Sequence, residues 1–145
     1  MFERILIPVD GSSVARLAIA QALALALAFK SSVTLIYVID PYAFIGVGTE
    51  FSFGQAEYLQ AAGEEGKAAI GDARQVFESQ GIAVTGSVVE AHSVYQAILD
   101  AAESLNADLV VMGSHGRRGL EKLVLGSVTA QVLSHAHLSV LVVRE

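Results

Sequence analysis

Five short apolar runs rich in β-branched residues recur along the chain, each separated from the next by a stretch with helical patterning. RILIPV (4–9) comes first, then VTLIYVI (33–39), IAVTGSVVE (82–90), DLVVMG (108–113) and SVLVVR (139–144). Near-continuous apolar strands suit a parallel sheet covered by helices on both faces, since a half-exposed strand alternates polar and apolar residues. Five strands with four helices between them predict an α/β, doubly wound fold. At 145 residues the simplest organisation is one domain over 1–145, long enough to bury a real core.

Helix signals agree with that pattern. Ser12 or Ser13 can cap a first helix running to about Lys30. A second carries Leu59, Ala62, Ala69, Ile70, Ala73 and Phe77 on one face, with Gly81 as its stop. The third begins SVYQ, where Ser93 and Gln96 have capping-box spacing, and its inward face is Val94, Ala97, Ile98, Ala101 and Leu105. A fourth starts at Ser127, directly after Gly126. Between the second strand and second helix, DPYAFIGVGTEFSFG (40–54) is longer than a typical connection and reads as a lid, a partner surface or an insertion.

Composition excludes several classes. The formal charge is −6, from 9 basic and 15 acidic residues, which argues against binding nucleic acid through phosphate neutralisation. There is no cysteine, so no disulfide, thiolate metal site or cysteine nucleophile. LAIAQALALALAF (17–29) is too short to span a bilayer, which needs about 20 apolar residues. MFERILIPVD has no signal-type pattern, so the expectation is a soluble cytoplasmic protein without membrane insertion.

The most unusual stretch is MGSHGRRGLEKLVLGSVT (112–129), which carries Gly113, Gly116, Gly119 and Gly126 between a strand and a helix. Open α/β sheets bind ligands at the carboxyl ends of their strands, where the order reverses. PVDGS ends the first strand and MGSHG the fourth, so if these are neighbours, Asp10 and Gly113 flank one crevice. Gly113 and Gly116 let main-chain N–H groups approach a ligand, and the helix beginning at Ser127 offers unpaired, partially positive amides. That combination suits an anion, phosphate first. The same pattern also fits a glycine-rich turn before a well-capped helix, and it is neither a Walker A loop nor GxGxxG.

The spacing Gly113-x2-Gly116-x9-Gly126-Ser127 resembles the nucleotide-binding pattern of the universal stress protein family, in its ATP-binding subgroup. The resemblance extends through RILIPVDGS, LIYVID, DLVVMGSHGRRGLEKLVLGSV and VLVVR. It implies a five-stranded parallel sheet in order 3-2-1-4-5, which sets the first and fourth strands side by side. By matching position, Asp10 resembles the aspartate near the adenosine end, and Val38 the residue whose main chain meets adenine. Gly113, Gly116, Gly126, Ser127 and Val128 resemble the ribose and phosphate loop, and Pro8 and Ser114 fall within the same matched segments. A carboxylate facing phosphate would repel it unless a metal intervened, so Asp10 suits hydrogen bonds from ribose or base. Departures are Ala91-His92-Ser93, where the family has Gly-x-Pro, and Ser139, where it often has Pro.

The implied function is an ATP-binding regulatory or stress-response module, with AMP and ADP as alternative ligands and Mg²⁺ as a companion ion. Strand 139–144 would pair two copies in a homodimer, and nucleotide occupancy would change a surface for a protein partner. Arg117 or Arg118 could clamp phosphate, and His115 could touch it, although solvated loop positions are the commoner explanation for all three. His135 and His137 sit at a helix end, where the dipole attracts histidine, and lack the further ligands a zinc site needs. Glu57, Glu64, Glu65 and Asp72 read as the wet face of the second helix. No evident carboxylate orients water, so hydrolysis would be slow at most. A slow ATPase or phosphotransferase is the alternative, and a nucleotide-independent interaction protein ranks third. Hydrolase relatives with an SGGxDS loop are disfavoured, because PVDGSS lacks it.

Overall fold

The computed structural model describes residues 1–41, 51–116 and 125–145, with the backbone alone for 51–53. Along them run β1 (Arg4–Pro8), α1 (Ser13–Phe29), β2 (Ser32–Ile39), α2 (Phe51–Glu78) and β3 (Val84–Glu90). Then follow α3 (Val94–Ser104), β4 (Leu109–Gly113), α4 (Ser127–His135) and β5 (Ser139–Val143). The strands form a parallel sheet in the order β3-β2-β1-β4-β5. The doubly wound fold and its strand order are those expected.

Alternation along the central strands builds two cores. Ile5, Ile7, Leu35, Tyr37 and Phe77 pack in one, with α1 and α2 above them. Leu6, Ile36, Ile98, Val110 and Val132 pack in the other, beneath α3 and α4. β1 and β4 are buried on both faces. β3 is not, for its edge position leaves Thr85 and Ser87 exposed, and VTGSVVE alternates instead of running apolar throughout. Asp108, just before β4, accepts hydrogen bonds from the amides of Glu3 (2.8 Å) and Arg4 (3.1 Å), tying the amino end of β1 to a residue far along the chain.

Local signals resolve case by case. α1 is capped by Ser12, whose hydroxyl accepts from the Ala15 amide at 3.2 Å, and it stops at Lys30 in the left-handed region. Gly81 has φ +74 in the turn after α2, as a helix stop requires. Glu57, Glu64, Glu65 and Asp72 are all exposed. The Ser93–Gln96 capping box does not form. Ser93 occupies the N-cap without a side-chain bond, and the Gln96 amide donates instead to Asp100, one turn on, at 2.9 Å. Leu105 is also not inward. It lies just past the end of α3, 37% exposed, and Ala102 takes the buried place. Of the 40–54 stretch, Phe51 onward is already helix, and 42–50 lie outside the described residues. Among the described residues no helix is long and apolar enough to cross a membrane.

Candidate functional site

Because β1 and β4 are hydrogen-bonded neighbours while their following helices leave on opposite faces, a cleft opens between their carboxyl ends. It is open to solvent, and Pro8, Asp10, Val38, Gly113, Gly116 and Val128 line it. Ile36, Val94, Ile98 and Met112 give it an apolar floor. That lining, apolar with a few polar groups at the rim, suits part of a small organic ligand. The floor residues escape a motif search because they look like ordinary core. Their signal is positional: two strand ends and the first turns of α3 and α4 converge on one face.

A larger groove runs between α1 and α2, along Ile19, Leu23, Ala73 and Val76. It receives no strand end besides that of β1 and no uncapped helix, so the β1–β4 cleft is the better candidate.

The rim is built from two different turns. At the end of β1, the Asp10 carboxylate accepts from the Ser12 amide at 2.9 Å, an Asx turn that requires φ +79 at Gly11. The outer Asp10 oxygen sits against Gly116, where an added Cβ would lie only 2.7 Å from it. At the end of β4, a Cβ on Gly113 would meet the Val14 side chain at 2.8 Å, and one on Gly126 would meet the His115 backbone at 3.0 Å. The bare main chain therefore answers close packing within the protein itself, at each of the three motif positions. Gly113 lines the cleft with its main chain while the side of its missing Cβ faces α1.

The remaining motif residues stand behind the rim. Ser114 is buried, and its amide donates to the Val143 carbonyl at 2.8 Å. Gly126 forms the N-cap of α4 and donates to the Ser114 carbonyl at 2.7 Å. Ser127 opens α4 and is exposed. Gly126 supplies no capping side chain, so the amides of Ser127, Val128 and Thr129 have no partner within their own helix. Arg117 and Arg118 lie outside the described residues. His115 lines the cleft, and its Nδ1 donates to the Gly116 carbonyl at 3.1 Å. Asp10 is the only charged residue among the described lining residues.

Of the other histidines, His92 lies 3.5 Å from Asp40, and His135 serves a helix end. His135, in the last turn of α4, donates from Nδ1 to the Gln131 carbonyl at 2.8 Å and lies 5.0 Å from the Tyr95 ring, centroid to centroid. Among the described residues no group of three or more His, Cys, Asp or Glu converges to hold a metal ion.

Similarity to known proteins follows the fold. The model of the universal stress protein family matches residues 1–144. Universal stress protein MJ0531 of Methanocaldococcus jannaschii is 36% identical over 145 residues, covering 100% of this chain and 84% of the relative. The solved structure of MJ0577 superposes with a TM-score of 0.86 at 30% identity, over 100% of this chain and 97% of that one. That of UspA from Lactobacillus plantarum gives 0.87 at 27% identity, over 99% and 98%. Matched along its length and in its strand order, this chain belongs to the universal stress protein family.

Proposed function

We propose that the chain binds an adenine nucleotide, ATP in the first instance, in the β1–β4 cleft and uses its occupancy as a regulatory state. The observation that carries the reading is the meeting, in one cleft, of an apolar floor and a helix amino end without a side-chain cap. The floor suits a base: Ile36, Val38, Ile98 and Met112 line it, and the Val38 main chain would meet a base edge. The helix end suits phosphate, because the first amides of α4 lack partners within the helix and carry partial positive charge. Asp10, engaged by Ser12 on one oxygen, is placed for a ribose hydroxyl. Ser127 adds a hydroxyl beside the amides. The universal stress protein solved with cAMP and the one from Archaeoglobus fulgidus solved with dAMP share this fold at 22% and 18% identity. Their ligands suggest the class to test, and the case for this chain rests on its own cleft.

Binding is favoured over turnover. Among the described lining residues the chemical groups are one carboxylate, Asp10, and one imidazole, His115, and each is tied to a neighbouring main-chain atom. Neither has a water-orienting role on a terminal phosphate in this reading, which assigns the remaining Asp10 oxygen to ribose.

Calorimetric titration with ATP tests the reading, with Gly116→Val and Gly126→Leu as controls. Native protein should bind and both variants should lose most of that affinity, since each new side chain lands on Asp10 or His115. Absence of binding by the native chain, or unchanged binding in both variants, removes it.

We also propose a homodimer through β5. Val143 turns its carbonyl to Ser114, so Val142, one residue earlier, directs its N–H to the open edge. Leu141 on that strand is an exposed apolar residue, at 36%. Val142→Pro removes one edge donor, and sedimentation should then show monomer. A dimer that persists places the contact elsewhere.

A further inference from the structure

Buried polar side chains are scarce among the described residues, and two of them, Ser114 and Thr129, meet where β4 hands over to α4. Thr129 is 2% exposed, and its Oγ1 donates to the Gly113 carbonyl at 2.8 Å. On the other side of the same peptide plane, the Ser114 amide donates to the Val143 carbonyl. A trans peptide holds its C=O and N–H in opposite directions in one plane, so this unit is pinned from both sides. The next plane is held as well, through the Ser114 carbonyl and the Gly126 amide at 2.7 Å. Its other end, the His115 N–H, therefore points away from Gly126 and has no acceptor among the described residues.

Two carbonyl oxygens thus stand at the end of β4, and the start of α4 engages both. A carbonyl left free to turn toward the cleft would set partial negative charge against an anion. We infer that Thr129 is a positioning residue for the phosphate end of the cleft. Its hydroxyl holds the Gly113 carbonyl against α4, keeping that oxygen from the ligand and fixing the turn from which Ser114, His115 and Gly116 depart. Sequence spacing gives no sign of this role, since Thr129 lies beyond the glycine pattern and looks like an ordinary first-turn threonine.

The inference rests on the nucleotide reading, and its test separates the two. Affinities for ATP and for adenosine are measured by competition on native protein and on Thr129→Val, which keeps the shape and removes the hydroxyl. Loss of one positioning hydrogen bond should weaken ATP about tenfold and leave adenosine within about twofold. Thr129→Ser, which keeps the hydroxyl, should restore ATP affinity. A residue that only supports packing would lower the thermal midpoint and weaken both ligands alike, or neither, and either result overturns the inference while the nucleotide reading stands. Failure of the native protein to bind ATP overturns both. Should the valine variant not fold, Thr129→Ala makes the same separation by the same ratio of affinities.

Discussion

α1 and α4 both begin at the carboxyl edge of the sheet, one after β1 and the other after β4, yet their amino ends are finished in opposite ways. At α1 side chains do the work: Asp10 takes the Ser12 amide, and Ser12 takes the Ala15 amide. At α4 the N-cap is Gly126, with no side chain to offer, and Thr129 donates its hydroxyl away from the helix, toward β4. One helix end satisfies two of its donors with side chains. The other keeps them available. α3 also starts on this edge without a side-chain cap bond. On the proposed reading, the finish of the amino ends therefore narrows an anion's place to the α3 and α4 ends beside the cleft, where charge gives no guide, because Asp10 is the only charged residue in the described lining.

The strongest attack on that contrast is Gly113→Ala. Were the bare backbone at β4 present for a guest alone, alanine would leave the empty protein as stable as before. Its Cβ would instead press on Val14, and overpacking of this kind costs about 1–3 kcal/mol, to be read from urea unfolding without nucleotide. Val14→Ala in the same chain should return part of the loss as a favourable coupling, and strict additivity would mean the contact is not the cause.

A gentler probe compares two serines in equivalent places. Ser12→Ala removes a working cap and should cost about 1 kcal/mol while leaving ATP affinity unchanged. A matching drop in affinity would show that the α1 end grips the ligand too. Ser93→Ala should change stability by less than about 0.5 kcal/mol, because that hydroxyl makes no cap bond. A loss as large as that at Ser12 would mean the two ends are finished alike.

These cases also show what a sequence can and cannot disclose. The apolar runs and the glycine spacing locate the strands and their crevice, since burial imposes a period that survives in one dimension. The floor of the cleft is legible only once Ile36, Ile98 and Met112 are known to share a face. Capping is less legible still. Ser12 and Ser93 have the same local credentials, and what separates them is a choice among hydrogen-bond partners, with Gln96 drawn to Asp100 at Ser93's helix. The glycines mark where a Cβ cannot stand, but the atoms excluding it come from Val14, Asp10 and His115, and for Val14 and Asp10 that meeting is set by packing across about a hundred residues of chain.

The bond between Asp108 and the first residues of β1 bears on how such a chain is made. Arg4 and Asp108 are 104 residues apart, and the central strand acquires its second neighbour only when β4 is in place. During synthesis, β1, β2 and β3 can assemble as a half-sheet while one flank of β1 stays bare. That flank closes with the arrival of β4, the same event that brings Gly116 beside Asp10. No ligand can therefore assist the early half, and a newly made chain is exposed to wrong pairing for most of its translation.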